Sequence, residues 1–302
     1  MENDGYTDAL AQEPQALLTE HFPLADGSRY WPTLAYALTI GYRPMMLDLR
    51  VPQGPGPHPL VIYIHGGAWY LGTPKYNNAA LRALRIEDRL LDAGYAMARI
   101  SYRLSSEAKW PAQLHDCKAA VRFLRHHAGR FALDPDRFAV MGESAGGHLA
   151  AMVALTGDDP AHEGEIGETG TSSAVQAAIN WYGATDLSRF RTDGTRPPMQ
   201  GIVAHRPEDL LVGDGSEAPR ETLRQASPVA HVTAKAPPFL HQHGDTDRLV
   251  THDHAVQLHQ LLCDAGAPSE LDIVSGADHC FHGATSDAIL DRTIAFLNAR
   301  LA

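Results

Sequence analysis

The chain has 302 residues, of which 44% are hydrophobic, 20% charged and 7% aromatic, and this composition excludes a disordered, collagen-like or coiled-coil protein. Its 25 basic and 36 acidic residues give a formal net charge of −11, so most of the surface would repel a nucleic acid. No apolar run in the sequence approaches the length of a membrane span, and we therefore expect neither a nucleic-acid nor a membrane partner.

The N-terminus and the cysteines bear on the cellular compartment. Met1-Glu2-Asn3-Asp4 is acidic and lacks the basic region followed by an apolar stretch that marks a secretion signal. Cys117, Cys263 and Cys280 are odd in number and far apart, which fits neither a disulfide framework nor a zinc ribbon. We expect a cytoplasmic protein, and the sequence leaves its oligomeric state open.

Beyond Pro44, apolar runs alternate with amphipathic stretches, which predicts an α/β domain with a mostly parallel sheet covered by helices on both faces. We predict strands at residues 45–51, 60–65, 95–102, 137–141, 175–182, 238–243 and 269–274. We predict helices at residues 78–93, 111–127, 145–155, 252–265 and 288–301. The pattern indicates a single domain over residues 1–302.

Two stretches do not follow this alternation. Residues 1–43 carry several aromatic side chains, and residues 186–224 are rich in proline, glycine and charge. Loops of this length in a compact domain are commonly lids over a site. We therefore predict that both segments are cap elements, and that the second emerges at the carboxyl edge of the sheet.

Gly142-Glu143-Ser144-Ala145-Gly146 is a G-x-S-x-G pentapeptide that lies between a predicted strand and a predicted helix. The pattern alone is weak, since a glycine-rich turn of this kind can also bind a phosphate. The strand-to-helix placement is what a serine nucleophile requires, because the sharp turn lifts the hydroxyl above the sheet. We predict that Ser144 is the nucleophile.

His65-Gly66-Gly67-Ala68-Trp69 follows the strand predicted at residues 60–65. A tetrahedral intermediate places negative charge on the former carbonyl oxygen, and fixed N–H groups aimed at that oxygen are worth about 3 to 4 kcal/mol each. We assign the N–H groups of Gly67, Ala68 and Ala145 as oxyanion-hole donors. Trp69 is a candidate either for the wall of the substrate pocket or for the core.

Taken in chain order, these motifs and several others resemble the α/β-hydrolase esterases related to the feruloyl and carbohydrate acetyl esterases, and more distantly the hormone-sensitive-lipase group. The matching pieces are His65-Gly66-Gly67-Ala68-Trp69, Ser101-Tyr102-Arg103-Leu104, Gly142-Glu143-Ser144-Ala145-Gly146-Gly147, Ser227-Pro228-Val229, Pro237-Pro238-Phe239-Leu240, His243-Gly244-Asp245-Thr246-Asp247 and Gly276-Ala277-Asp278-His279. The resemblance implies the α/β-hydrolase fold and a serine esterase that cleaves small or short-acyl carboxylic esters through an acyl-enzyme.

The same resemblance implies that Asp247 is the catalytic acid and His279 the base, which completes the order Ser144, Asp247, His279. Asp245 is the alternative acid and His282 the alternative base. The last motif departs from the family, which usually has Gly-His-Gly-Phe where this chain has Asp278-His279-Cys280-Phe281. The departure leaves the histidine in place and affects the packing of its loop.

Seventeen histidines raise the question of a metal site. The pairs in His241-Gln242-His243 and His252-Asp253-His254 have no second cluster at ligand spacing, and no H-E-x-x-H is present. We expect no metal and no cofactor, with these histidines at the surface and at strand ends. His65 is expected to make a structural hydrogen bond, and Arg103 with Asp116 a structural ion pair.

Three other functions fit the same residues or the same scaffold. An arylformamidase-type amide hydrolase shares the H-G-G-x-W loop, and a biosynthetic cyclase or dehydratase could use the pocket for a tethered intermediate. A non-catalytic ligand-binding protein is the third alternative. Such proteins resemble chains that have lost a member of the triad, and no member is lost here.

Overall fold

The structure, a computed structural model, describes residues 21–39, 41–75, 79–192, 206–213 and 219–301. Its strands are β1 (Phe22–Pro23), β2 (Arg29–Ala37), β3 (Met45–Val51), β4 (His58–Ile64), β5 (Ala96–Ile100), β6 (Leu133–Glu143), β7 (Ala177–Trp181), β8 (Phe239–Gly244) and β9 (Ser269–Val274). They form one sheet in the order β1-β2-β3-β5-β4-β6-β7-β8-β9. Pairing is antiparallel from β1 to β5 and parallel from β5 to β9, which confirms the predicted, mostly parallel sheet.

The helices of the described residues cover both faces of this sheet. They are α1 (Ala79–Ala83), α2 (Ile86–Asp92), α3 (Ala112–His126), α4 (Ala128–Phe131), α5 (Ala145–Leu155), α6 (Leu187–Thr192), α7 (Pro207–Val212), α8 (Arg220–Gln225), α9 (Asp253–Asp264) and α10 (Asp287–Leu301). Two short 3₁₀ helices are Pro228–His231 and His279–Phe281. None of these helices is both long enough and apolar enough to cross a membrane.

The central strand β4 separates two hydrophobic cores. Leu60, Ile62 and Ile64 point to one face, where they join side chains of α3, α5 and α9. Val61 and Tyr63 point to the other face, where they join side chains of α1, α2 and α10. Successive side chains of a strand alternate between faces, so a run of apolar residues fills both cores at once.

The predicted strands and helices are all present, although some bounds differ. Residues 45–51, 269–274 and 145–155 have the predicted bounds. The helix predicted at residues 78–93 is two helices, because Arg85 adopts a left-handed φ of 48° between α1 and α2. Its first residue, 78, lies outside the described residues.

The strand β2 is the main element that the sequence analysis missed, and it lies inside the segment predicted as a cap, residues 1–43. Its residues belong to the sheet, and Trp31, Leu34 and Tyr36 are buried in the core. Register shifts on both sides of Leu34 interrupt the alternation, and Pro32 argues against a strand. The cap prediction is therefore wrong for β2; residues 1–20 and 40 lie outside the described part of the chain.

In the second predicted cap, residues 186–224, the described parts form the helices α6, α7 and α8, and residues 193–205 and 214–218 lie outside the description. The helix α7 is held by Trp110, whose N–H donates to the carbonyl of Leu211 at 2.8 Å. The two ends of the segment meet, since the N–H of Leu187 donates to Oγ of Ser227 at 2.9 Å.

Candidate active site

Ser144 lies in the sharp turn between β6 and α5. Its backbone has φ 55° and ψ −120°, a conformation that L residues rarely adopt, and its N–H donates to the carbonyl of Trp181 at 2.9 Å. The turn passes so close to β4 that a Cβ at Gly146 would lie 2.0 Å from the carbonyl oxygen of Ile64. Glycine at 146 therefore permits the turn that places the Ser144 hydroxyl at the carboxyl edge of the sheet.

The imidazole of His279 lies between Ser144 and Asp247. Its Nε2 is 2.9 Å from Oγ of Ser144, and its Nδ1 is 2.7 Å from Oδ2 of Asp247. The three residues follow β6, β8 and β9, and the carboxyl ends of parallel strands meet at one edge of a sheet. The structure thus brings the three predicted triad residues into one hydrogen-bonded chain.

The carboxylate of Asp247 is fixed on both oxygens. Oδ1 accepts the N–H groups of Leu249 and Val250, each at 2.9 Å, and Oδ2 faces Nε2 of His243 at 3.3 Å as well as His279. Burial alone would raise the pKa of Asp247, but the hydrogen bonds from His243 and His279 outweigh it and hold this pKa well below its usual value. Asp247 is therefore charged at neutral pH.

The two alternatives from the sequence lie elsewhere. Asp245 accepts the N–H of Gly276 at 2.7 Å and the hydroxyl of Ser275 at 3.1 Å, so its carboxylate is turned towards the loop after β9. His282 has an exposed side chain, and its backbone carbonyl accepts the N–H of Asp278 at 2.8 Å. The geometry favours Asp247 over Asp245 and His279 over His282.

His279 packs against one aromatic ring, and two residues beside it have a strained backbone. The ring of Tyr182 packs edge-on against the imidazole, with centroids 5.0 Å apart, and Tyr182 itself has a positive φ of 40°. Cys280, which follows His279, has a left-handed φ of 60°. Strain of this kind is characteristic of functional sites. The only sequence signal for Tyr182 was its position at the end of a predicted strand.

The loop after β4 has an unusual backbone conformation. Gly67, Ala68 and Trp69 have φ values of 113°, 55° and 57°, and the carbonyl of Gly67 accepts the N–H groups of Tyr70 and Leu71. Within the part of the chain that the structure describes, no acceptor occupies the N–H of Gly67 or Ala68. These two amides are thus open to a ligand.

Ala145, the third assigned donor, is the first residue of α5 and follows Ser144 directly. The N–H groups of a helix's first turn have no partner within the helix. They are also aligned with the positive end of the helix dipole, which favours a negative charge at this position. The arrangement suits an oxygen that becomes anionic next to the serine.

A small cavity of about 20 Å³ opens at Ser144. Its lining is almost entirely apolar and consists of Ala68, Trp69, Ser144, Ala145, Ala184, Pro207, Leu249 and Val250. Trp69 is only 2% exposed, and its indole N–H donates to Nδ1 of His148 at 3.0 Å. Trp69 therefore both lines the cavity and packs in the core.

Glu143 is a site residue to which the sequence analysis assigned no role. Its Oε1 accepts the N–H of Gly66 at 2.6 Å, which links the residue before the nucleophile to the loop of open amides. Burial raises the pKa of Glu143 to about 7, against the opposing effects of the Gly66 N–H and of His279. The only sequence signal was its place inside the G-x-S-x-G pentapeptide.

The predictions for the other histidines are confirmed only in part. His65 is buried, its Nδ1 is 2.7 Å from the carbonyl oxygen of Gly66, and burial lowers its pKa to about 4, so it makes the structural hydrogen bond expected of it. His241 and His243 lie near the end of β8, as the strand-end alternative predicts, but they are fully buried and not at the surface. They belong to β8, whose side chains are buried on both faces.

One group among the described residues could hold a metal ion. Ligand atoms of His126, His127 and Glu168 lie within 4.8 Å of one another. The two histidines are at the end of α3, and the group does not include any of the triad residues.

Arg103 and Asp116 form the expected ion pair, with Nη2 of Arg103 2.7 Å from Oδ1 of the buried carboxylate.

Comparison with known proteins gives a consistent picture. The family model described as BD-FAE matches residues 47–262. The chain is 35% identical over 195 residues to LipM, a probable carboxylic ester hydrolase of Mycobacterium tuberculosis. The matched region covers 65% of this chain and 42% of LipM. The chain spans about half the length of the curated relatives that it matches first.

Solved structures with the same fold cover most of the chain. A truncated form of a carbohydrate esterase from gut microbiota has a TM-score of 0.77 and 29% identity, over 92% of this chain and 98% of that chain. The esterase Est2 of the Planctomycetes species Thermogutta terrifontis, with propionate bound, has a TM-score of 0.69 and 26% identity, over 88% of this chain and 93% of that chain. The chain therefore has the α/β-hydrolase fold.

Proposed function

The chain belongs to the BD-FAE family, and from this premise we propose that it is a serine esterase that hydrolyses carboxylic esters through an acyl-enzyme. The observation that carries the proposal is the hydrogen-bonded chain from Ser144 through His279 to Asp247. The similarity to LipM and to the two solved esterases supports it.

In the proposed mechanism, Nε2 of His279 takes the proton of Ser144 as its Oγ attacks the ester carbonyl carbon. Asp247 accepts from Nδ1–H of His279, which holds the productive tautomer and stabilises the imidazolium. The imidazolium then protonates the leaving alcohol, and the acyl group stays on Ser144. Water, activated by the same imidazole, attacks the acyl-enzyme and releases the acid and the free serine.

The oxyanion that forms in both steps is the proposed ligand of the amides of Gly67, Ala68 and Ala145. Two of these amides have no acceptor among the described residues, and the third begins α5. Donors that are already in place do not need to reorganise during the reaction, which is why such sites lower the barrier strongly. No step of this mechanism calls for a metal or a cofactor.

We propose a small-molecule ester with a short acyl group as the substrate. A cavity of about 20 Å³ holds roughly one water-sized group, so it suits the methyl of an acetyl group better than a long chain. Pro207 of the proposed cap segment lines this cavity together with Trp69, Leu249 and Val250.

A cytoplasmic location stays a prediction, supported by the free thiols of Cys117, Cys263 and Cys280.

The nucleophile is tested by Ser144→Ala, with hydrolysis of p-nitrophenyl acetate and labelling by a fluorophosphonate as readouts. Loss of the nucleophile should lower kcat on the order of 10⁶-fold and abolish the label. Ser101→Ala is the control, because the hydroxyl of Ser101 is buried and bonds to the backbone of Met46 rather than to a triad residue. Labelling of a different serine, or unchanged turnover in Ser144→Ala, would contradict the proposal.

The acyl pocket is tested by Leu249→Ala, which should enlarge the cavity. We expect kcat/KM for the butyrate ester to rise relative to the acetate ester, with each added methylene worth about 1 to 3 kcal/mol at most. Val256→Ala, on the exposed face of α9, is the matched control and should leave the ratio unchanged. Faster turnover of an aryl formamide than of every ester would instead favour an amide hydrolase.

A further inference from the structure

Glu143 and Gly66 come from different strand ends and meet beneath the proposed oxyanion hole. Glu143 is the last residue of β6 and precedes Ser144, while Gly66 lies two residues after the end of β4. Their hydrogen bond, from N–H to Oε1, is 2.6 Å long. A Cβ at position 66 would lie 2.6 Å from both carboxylate oxygens, so the carboxylate fills the space that a side chain would need.

We propose that Glu143 is a positioning residue that holds the oxyanion loop in place by accepting the N–H of Gly66. The loop is defined here as residues 65–69. This inference rests on the proposed esterase function, because it concerns how the assigned donors Gly67 and Ala68 are kept in register with Ser144. Glu143 itself is not placed in contact with substrate.

The loop is anchored on both sides of its donors. Before them, Gly66 is held by Glu143, and after them the carbonyl of Trp69 accepts the N–H of Ser105 at 2.8 Å. The donors therefore lie on a short backbone span between two fixed points. Only the first anchor comes from the residue next to the nucleophile, so it ties the position of the donors directly to Ser144.

The backbone of this span is strained, which makes the anchors important. Ala68 and Trp69 both have left-handed φ values, at 55° and 57°. Such a conformation is unfavourable for a residue with a side chain and persists only where surrounding contacts impose it. Release of Gly66 would allow the loop to relax and turn the donor amides away from the oxyanion.

The charge of Glu143 sets the strength of the anchor. The titratable groups that act electrostatically with it come from several elements: Tyr63, Tyr102, Tyr182 and His279. Burial in these surroundings raises the pKa of Glu143 to about 7. An ionised carboxylate is a stronger acceptor than the neutral acid, so the anchor weakens as the pH falls below neutrality.

The test compares Glu143→Ala and Glu143→Gln with the wild type, using p-nitrophenyl acetate. We expect Glu143→Ala to lower kcat about 100-fold, at the lower end of the loss seen when an oxyanion donor is removed, with KM within about twofold. Glu143→Gln keeps an oxygen acceptor without the charge and should lose only about tenfold. A trifluoromethyl ketone, which forms an oxyanion on Ser144, should bind more weakly in the same order.

Asp116→Asn is the matched control. Asp116 is a buried carboxylate that, like Glu143, accepts a backbone N–H, that of Arg103 at 2.7 Å, but it lies outside the proposed site. This variant should lower the unfolding temperature without the selective loss of kcat. If Glu143→Ala fails to fold, the comparison of Glu143→Gln with Asp116→Asn decides the matter.

The pH profile gives a readout that a purely structural role would not move. In the wild type, protonation of Glu143 should add to the fall of kcat/KM as the pH is lowered below about 7; in Glu143→Gln this contribution should be absent and the fall shallower. Wild-type kcat in both Glu143 variants, or a rise in KM alone, would overturn the inference. A wild type that neither hydrolyses esters nor labels at Ser144 would instead refute the proposed function.

Discussion

The indole N–H of Trp69 donates to Nδ1 of His148 at 3.0 Å, and this bond joins the oxyanion loop to the helix that begins at the nucleophile. The other ring nitrogen of His148 is 2.6 Å from the carbonyl oxygen of Ala226, so Nε2 carries the proton and the ring is neutral. Burial lowers the pKa of His148 to about 4, in agreement with that tautomer. One buried ring thus connects the loop, α5 and the end of the predicted cap.

Replacement of His148 by Ala should destabilise the protein without removing any triad residue. The indole N–H of Trp69 and the carbonyl of Ala226 would both lose a buried partner, and a cavity would form, for a total of about 2 to 4 kcal/mol. Urea unfolding measures the change. His126→Ala, an exposed histidine at the end of α3, should cost less than about 0.5 kcal/mol, and equal effects in the two variants would contradict the role of His148.

The buried histidines predict that stability falls as the solution becomes acidic. Burial lowers the pKa of His65 and His148 to about 4 and that of His241 to about 3, from the ordinary 6.5. Between pH 6.5 and about 4.5 these three histidines therefore bind three protons in the unfolded chain that they do not bind in the native chain, whereas the raised pKa of Glu143 acts in the opposite direction by one proton.

The net difference is about two protons, so the free energy of unfolding should decrease by roughly 2 to 3 kcal/mol per pH unit as the pH is lowered through this window. Urea titrations at intervals from pH 7 to pH 4.5 measure the slope. In His148→Ala the slope should be shallower by the contribution of about one proton. A stability that does not change above pH 5 would show that these rings are protonated in the native state.

The identity of the catalytic acid is tested by two amide substitutions. Asp247→Asn should lower kcat on the order of 10⁴-fold, because the amide favours the wrong tautomer of His279. Asp245→Asn should cost much less, since Asp245 bonds to Ser275 and Gly276 rather than to the imidazole. Turnover of p-nitrophenyl acetate ranks the two variants, and the reverse ranking would assign the acid to Asp245.

Cys280 predicts an unusual order of stability. Its left-handed φ of 60° penalises any side chain, so Cys280→Gly should be more stable than Cys280→Ala by about 1 kcal/mol. At Cys263, an exposed position within α9, the order should be reversed by a similar amount, about 1 kcal/mol, because glycine disfavours a helix. Thermal unfolding of the four variants measures both differences, and alanine above glycine at both positions would refute the prediction.

The parallel core of the fold and the position of Ser144 could be predicted because their signals are local. The apolar runs of the buried strands and the strand-turn-helix context of Ser144 lie within a few residues of one another. Asp247 and His279 followed from a family resemblance, and the structure brings both to Ser144. The strand β2 was missed because its bulges and Pro32 disturb the alternation on which such predictions depend.

The supporting contacts of the site could not be predicted, for a different physical reason. Glu143 and Gly66 are 77 residues apart in the chain, and Trp69 and His148 are 79 residues apart. Such pairs depend on the register of strands and helices in three dimensions, and the motifs that contain Glu143, Gly66 and Trp69 do not show which residues they contact. The split of the helix at Arg85 also had no signal, since that position is neither glycine nor proline.

The contact between Leu187 and Ser227 bears on how proteins with this scaffold diverge. Because the N–H of Leu187 reaches Oγ of Ser227, the chain begins and ends this insert at one point of the domain. A closed excursion of this kind can lengthen or shorten at little entropic cost, roughly 0.6 kcal/mol for each doubling of a flexible loop. Inserts of different length can therefore replace one another at this point, while the strands that hold Ser144, Asp247 and His279 keep their spacing.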